Sequence, residues 1–64
     1  MFIKVNRYGG SAGYFPISLA VESILWLEER VGENRCDAHL RNGQDVALCE
    51  SREMVEELVA KCSQ

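Results

Sequence analysis

The chain has 64 residues, of which 47% are apolar and 27% are charged, and its formal net charge is −3. This length allows one small domain, and the ordinary globular composition argues against disorder. The acidic balance argues against nucleic-acid binding, which usually needs a basic stripe, and no apolar run approaches the roughly 20 residues of a membrane-spanning helix.

The three cysteines, Cys36, Cys49 and Cys62, show neither C-x-x-C spacing nor a Cys/His zinc pattern. We interpret them as reduced thiols that pack as small apolar groups. The first residues lack the charged start and apolar stretch of a signal peptide. We therefore expect a cytoplasmic protein without a metal or another cofactor.

The first part of the chain predicts two strands joined by a glycine-rich turn. Residues 2–8 alternate well enough for a strand. Three glycines within residues 9–13 predict a turn or a bulged loop, and neither phosphate-binding glycine motif is present. Residues 14–17 suit a short second strand, and Pro16 predicts that this strand lies at an edge or ends there, because proline donates no backbone hydrogen bond.

The segment from residue 17 to residue 31 is ambiguous between a helix and a strand. Several of its apolar residues fit one helical face, and Ser18 would cap such a helix. By contrast, residues 24–27 form a dense apolar run of strand length that ends in charges. We favour a turn over 18–22 and a strand over 23–29.

The clearest signal is a β-hairpin that follows a turn at residues 32–34. Apolar and polar residues alternate over 36–41, and Asn42-Gly43 then precedes the run over 44–49, whose last four residues are apolar. A two-residue Asn-Gly turn would place the apolar residues of the two strands on opposite faces and split the core. A three-residue loop with Gly43 in the left-handed bulge position keeps them on one side.

The three-residue loop, Arg41-Asn42-Gly43, makes specific predictions about register. The expected pairs are Leu40 with Gln44, Ala38 with Val46, and Cys36 with Leu48. In this register Cys36 points inward and Cys49 points outward, so we expect no disulfide between them.

The last part of the chain predicts an amphipathic helix over residues 52–62 with Ser51 as its N-cap. Its apolar stripe consists of Met54, Val55, Leu58, Val59 and Cys62. The whole chain, 1–64, therefore predicts one small α+β domain. We expect a small antiparallel β-sheet or partly closed barrel of about five short strands, with the C-terminal α-helix packed on it.

Several short motifs occur in an order that resembles a known family. They are Arg7-Tyr8-Gly9 at the end of the first strand, Leu27-Glu28-Glu29, Leu40-x-Asn42-Gly43, Glu50-Ser51, and the helical Met54-Val55-Glu56-x-Leu58-Val59. Over most of its length the chain resembles the small FlbD-like flagellar and swarming-motility proteins and short phage or bacterial proteins of the same layout. The resemblance implies a compact β-rich domain with a regulatory or accessory role and no catalytic residues.

The chain departs from this family at two places. Family members usually have Leu-Asn-Gly in the first turn, where this chain has Tyr8-Gly9-Gly10. The segment over 17–31 is also longer than the usual connection, so the boundaries of the third strand do not follow from the resemblance.

Cys49, His39 and Asp37 fall on one predicted strand face and resemble a nucleophile, a base and an orienting acid. An open, one-layer face has no pocket to exclude water and no evident oxyanion donors. We therefore interpret this face as solvated and polar, and we predict that the protein is not an enzyme. Scattered ligands without fixed spacing also make a poor metal site.

The helix carries Glu53, Glu56 and Glu57 on its predicted exposed side. The simplest interpretation is a soluble surface. The sharper interpretation is an acidic patch that docks on a basic protein or mimics the charge of a nucleic acid.

The aromatic residues mark a candidate interaction surface, with Phe2, Lys4, Tyr14, Phe15 and Trp26 as candidate residues. If the aliphatic residues Ile3, Val5, Leu25 and Leu27 face the core, Phe2 and Trp26 point outward by alternation. Exposed aromatic residues near one another would mark an association surface. Alternatively, the C-terminal helix covers that face and makes it core.

The leading functional hypothesis is a non-catalytic interaction or regulatory module, such as an inhibitor or accessory factor, that binds a protein partner or a second copy of itself as a homodimer. The alternative is a small nucleic-acid-binding or transcription-regulating protein that uses Lys4, Arg7 and Tyr8 with Arg35 or Arg41 as a basic-aromatic platform. A third hypothesis is an enzyme that uses Cys49 and His39.

Overall fold

The structure, a computed structural model, describes residues 1–62. The strands are β1 (Phe2–Tyr8), β2 (Tyr14–Ala20), β3 (Ile24–Glu29), β4 (Cys36–Leu40) and β5 (Asp45–Leu48), and the helix is α1 (Arg52–Cys62). They form one open antiparallel sheet in the order β2-β1-β5-β4-β3, with α1 packed on it. The predicted α+β class is confirmed, and the sheet is open rather than a closed barrel. No helix within residues 1–62 is long and apolar enough to cross a membrane.

The first hairpin is longer than predicted. The glycine turn is confirmed, since the Gly9 N–H donates to the Gly13 carbonyl at 2.8 Å. β2 does not end at residue 17, because pairing with β1 continues to Ala20 opposite Phe2. This extension buries Leu19 beside Ile3. The predicted turn over 18–22 is therefore wrong, and a short 3-10 turn, Val21–Ser23, takes its place.

The predicted strand over 23–29 is confirmed as β3, but it contains a bulge. Ile24 pairs with Leu40 and Trp26 pairs with His39, so Leu25 is an extra residue between them. The bulge shifts the alternation by one residue, which lets Ile24 and Leu27 both pack against the core. Leu25 is 56% exposed, so its predicted core position is wrong.

The β4–β5 hairpin confirms the predicted register. Cys36 pairs with Leu48 and Ala38 with Val46, while the Leu40 N–H donates to the Gln44 carbonyl at 2.8 Å. Gly43 has a φ of +89°, which is the left-handed conformation that the three-residue loop requires. Cys36 is buried, Cys49 is partly exposed, and all three cysteines are free, as expected.

α1 spans the predicted residues 52–62, and the Ser51 Oγ accepts the Met54 N–H at 3.2 Å as an N-cap. Four of the five predicted stripe residues contact the core, whereas Met54 is exposed. The buried core combines both hairpins and the helix: Ile3, Val5, Leu19, Cys36, Ala38, Leu48 and Val55.

The two hairpins are joined by a short seam between β1 and β5. Within residues 1–62 these strands pair only at Arg7 and Leu48, and the Cys49 N–H donates to the Asn6 carbonyl at 2.8 Å. The Glu50 carboxylate then accepts the Asn6 backbone N–H at 3.0 Å and the Asn6 side-chain amide at 2.9 Å. A side chain therefore satisfies the Asn6 donor where no strand partner remains.

Candidate interaction groove

The two edges of the sheet are not equivalent, and β2 is the protected one. The Gly9 N–H bonds to the Gly13 carbonyl, and hydrogen-bonded and non-hydrogen-bonded pairs alternate along β1 and β2 from there. By this alternation, the pair of Asn6 and Pro16 is a non-hydrogen-bonded one. The Pro16 nitrogen therefore faces away from β1, where it offers no donor to an incoming strand. A proline at this position opposes pairing with a further strand. The prediction that the strand with Pro16 lies at an edge of the sheet is confirmed.

β3 forms the other edge and has no proline. The Arg30 N–H donates to the Arg35 carbonyl just beyond the β3–β4 ladder. By alternation, the backbone groups of Leu27 and Glu29 face away from β4. No strand in residues 1–62 pairs with this side of β3, which we call the open edge. Its main-chain donors and acceptors are arranged to receive another strand.

A groove of about 450 Å³ lies between β3 and α1. Its lining residues are Val21, Ile24, Trp26, Leu27, Arg52, Glu56 and Val59. At the rim, Arg52 pairs with Glu56 at 3.3 Å and approaches Glu29 at 3.5 Å. The groove thus has an apolar floor, a charged rim and the size of a typical binding cleft, and it runs beside the open edge.

Trp26 borders the groove and stacks on His39, with ring centroids 3.7 Å apart and ring planes 11° apart. The His39 Nδ1 lies 2.6 Å from Asp45 and its Nε2 lies 3.1 Å from Glu28. Partial burial disfavours the imidazolium, but the hydrogen bonds to Glu28 and Asp45 outweigh this effect and raise the pKa of His39. The stack holds the indole of Trp26 in one orientation on the outer face of the sheet, at the border of the groove.

The two elements on either side of the groove are acidic. β3 and α1 together carry five carboxylates and two cations, a net charge of −3 that equals that of the whole chain. The five carboxylates are Glu28, Glu29, Glu53, Glu56 and Glu57. In contrast, residues 1–20 contain Lys4 and Arg7 and no carboxylate. The two elements that flank the groove are therefore acidic as a whole, although the charged residues that line the groove itself, Arg52 and Glu56, balance each other, and the first hairpin is basic.

The predicted interaction residues fall into two groups. Phe2 and Tyr14 are 67% and 66% exposed at opposite ends of the first hairpin, and the exposed Lys4 lies on the same face between them. Phe15 lies beneath the Arg7 guanidinium, 4.7 Å from the ring centroid to Cζ. Trp26 is 50% exposed on β3, and two strands, β5 and β4, separate it from β1 in the sheet.

Phe2 and Trp26 therefore point outward as predicted, and the helix does not cover them. Sequence reasoning missed the helix side of the groove, above all Arg52 and Val59. Their role depends on how α1 lies against β3, and no local motif records that placement.

The hypothetical catalytic set is not assembled. His39 contacts Glu28 and Asp45, whereas Asp37 accepts a hydrogen bond from Arg30 at 3.0 Å. Cys49, the third member of this set, follows β5 and is partly exposed. Residues 1–62 contain no group of three or more side chains suited to hold a metal ion.

The basic-aromatic platform is partly formed. The Arg35 guanidinium lies over the Tyr8 ring at 3.7 Å, but it also pairs with Glu33 at 2.6 Å. Arg41 lies elsewhere and donates to the Glu22 carbonyl at 2.8 Å. Arg35 is therefore largely neutralised, while Arg41 is not part of this surface.

The fold and the groove define a class of protein: a small α+β domain with one protected sheet edge and one open edge beside an apolar cleft. Neither a family model, nor a curated protein, nor a solved structure matches this chain.

Proposed function

We propose that this protein is a small non-catalytic interaction module, with a regulatory or accessory role, that binds an extended segment of a partner protein along β3. The observation that carries this proposal is the apolar groove beside an unpaired strand edge. In strand addition, main-chain hydrogen bonds supply affinity and pockets for alternate side chains supply specificity. The open edge offers the main-chain groups of Leu27 and Glu29, and the groove offers the pockets.

The exposed pair Leu25 and Trp26 supports the same surface. Tryptophan is enriched among the residues that dominate binding energy at protein interfaces. Because the stack on His39 already orders the Trp26 ring, little side-chain entropy remains to be lost on binding. The bulge exposes Leu25 next to Trp26 and so adds apolar area at the open edge.

The proposal includes a regulatory or accessory role and a cytoplasmic location. The motif resemblance to FlbD-like proteins agrees with a regulatory or accessory role. The three free cysteines agree with a reducing compartment such as the cytoplasm.

Partner capture with two matched double variants tests the proposal. The groove variant carries Leu25→Ser and Trp26→Ser, and the control carries Phe2→Ser and Tyr14→Ser, which removes similarly exposed apolar residues from the first hairpin. Circular dichroism checks that both variants fold. We expect the control to retain the proteins that the wild type captures from a bacterial lysate, and the groove variant to lose at least nine-tenths of them.

Two results would contradict the proposal. Unchanged capture by the groove variant would show that the open edge is not the working surface. Loss of capture in the control alone would move the working surface to the first hairpin.

One specific observation favours nucleic-acid binding as a second candidate function. The first hairpin exposes Phe2, Lys4 and Tyr14 on one face, and residues 1–20 contain no carboxylate. Aromatic side chains stack on bases and cations contact the phosphates of single strands. With one phosphate contact, from Lys4, log K should fall with log salt at a slope of about −0.7. A fluorescence titration with a labelled single-stranded oligonucleotide at two salt concentrations tests this, and salt-independent or absent binding rejects it.

A further inference from the structure

We infer that the segment which binds the open edge is basic and apolar in alternation, and that it belongs to a partner protein rather than to a second copy of this chain. This inference rests on the proposed function and adds the chemistry of the partner. It is carried by the charge around the groove, by the difference between the two sheet edges and by the alternation of β3.

The charge of the surface indicates the charge of the segment that binds it. The elements that flank the groove hold five carboxylates against two cations. One of those cations, Arg52, already pairs with Glu56 and lies 3.5 Å from Glu29. Carboxylates such as Glu28 and Glu29 stay more than half exposed at the edge itself. A basic segment would be steered toward this surface, whereas an acidic one would be repelled.

The same charges disfavour self-association through β3. A second copy that paired its own β3 with the open edge would bring two acidic elements of identical charge together. A second copy that offered β2 instead would present the edge that carries Pro16, which lacks the donor needed for a regular ladder. Charge repulsion disfavours pairing of β3 with β3 of a second copy, and Pro16 disfavours pairing of β3 with β2 of a second copy. We therefore infer that a different protein chain occupies the open edge.

Alternation gives the pattern of the segment. In an added strand, successive side chains point to opposite faces of the sheet. One face of the segment meets the apolar floor at Ile24, Leu27 and Val59. The other face lies on the outer side of the sheet, where lysine or arginine side chains would meet the Glu28 carboxylate and the face of the Trp26 ring. We therefore expect apolar residues at every second position and lysine or arginine between them, over about the six-residue length of β3.

Fluorescence polarisation with defined peptides tests this pattern. The probe is a fluorescein-labelled hexapeptide in which valine and lysine alternate, and the comparison peptide replaces each lysine by glutamate. We expect the lysine peptide to bind at least tenfold more tightly at low salt, and its affinity to fall as salt is added.

Three variants separate the role of charge from the role of the main chain. Glu29→Gln removes a carboxylate on the groove side of β3, 3.5 Å from Arg52, and keeps the outward N–H, so it should weaken binding at most a few-fold, mainly at low salt. Glu29→Pro also removes the N–H and should weaken binding tenfold or more. Ser18→Pro is the matched control, because residue 18 faces outward on the protected β2 edge by the same alternation as Pro16. It should leave peptide affinity unchanged.

The possible failures are distinguishable from failure of the proposed function. Equal binding of the lysine and glutamate peptides would overturn the basic pattern, even if Glu29→Pro still abolishes binding. Equal affinity of Glu29→Gln and Glu29→Pro would overturn strand addition. No binding of either peptide at millimolar concentration, or a concentration-dependent dimer that Glu29→Pro abolishes in sedimentation, would overturn the inference. Loss of strand addition would overturn the proposed function as well, whereas equal binding of the lysine and glutamate peptides would overturn only the basic pattern.

Discussion

Glu50 holds the two hairpins together, and its replacement by alanine should lower the free energy of unfolding substantially. Its carboxylate accepts both the backbone N–H and the side-chain amide of Asn6, at 3.0 Å and 2.9 Å. In the described residues, β1 and β5 pair at Arg7 and Leu48, and the Cys49 N–H donates to the Asn6 carbonyl, so the bonds to Glu50 make up much of the polar contact at this seam. The Glu50→Ala variant leaves a part-buried N–H of Asn6 without its acceptor.

The expected cost follows from these two hydrogen bonds. Hydrogen bonds to charged groups contribute roughly 1.5–3 kcal/mol each, and the lower end applies here because both residues are only partly buried and water can replace part of the interaction. We therefore expect Glu50→Ala to lower the free energy of unfolding by about 2–3 kcal/mol. Glu50→Gln keeps one acceptor oxygen and should cost about half as much.

Urea denaturation at pH 7, followed by circular dichroism, measures this change. Glu57→Ala is the matched control, since Glu57 is an exposed carboxylate on α1, and its effect should stay within about 0.5 kcal/mol. A double-mutant cycle of Glu50→Ala with Asn6→Ala should give a coupling energy of about 1 kcal/mol for the side-chain bond. If Glu50→Ala lowers the free energy of unfolding no more than Glu57→Ala does, or if the coupling energy is close to zero, the hydrogen bonds between Glu50 and Asn6 do not stabilise the seam.

Three further predictions concern the core, the loop and the Trp26 stack. Leu48→Ala, at a fully buried core position, should cost about 3 kcal/mol in urea denaturation. Gly43→Ala should cost about 1–2 kcal/mol from its left-handed φ alone, since a Cβ there meets no atom within 4 Å. NMR titration should place the pKa of His39 above its usual value of 6.5, and Asp45→Asn should lower it.

The sign of the His39 contribution to stability follows from this shift. Since the pKa is raised in the folded state, the stabilisation is complete below the unfolded pKa near 6.5 and is lost as pH rises through the folded pKa. Unfolding measured from pH 5 to pH 9 should show this loss in the wild type, and His39→Gln should remove it. A His39 pKa at or below 6.5 would contradict the two carboxylate contacts.

The sequence predicted part of the strand side of the candidate site and none of its helix side. Alternation predicts that Phe2 and Trp26 point outward, and both are at least half exposed. It also predicts Leu25 inward, which fails because the bulge shifts every later residue of β3 by one position. The opposite wall of the groove comes from α1, and the angle at which a helix crosses a sheet has no local signature.

The amino-acid sequence by itself determined the β4–β5 hairpin and the helix. In both, neighbouring residues carry the decisive interactions: Gly43 permits the left-handed loop, and Ser51 caps the first turn of α1. Tertiary structure alone decided how far β2 extends, where β3 bulges, and that Glu50 binds Asn6 across 44 residues of chain. These features depend on contacts between distant segments, whose energies rival the local preferences of the chain and appear only once the core has formed.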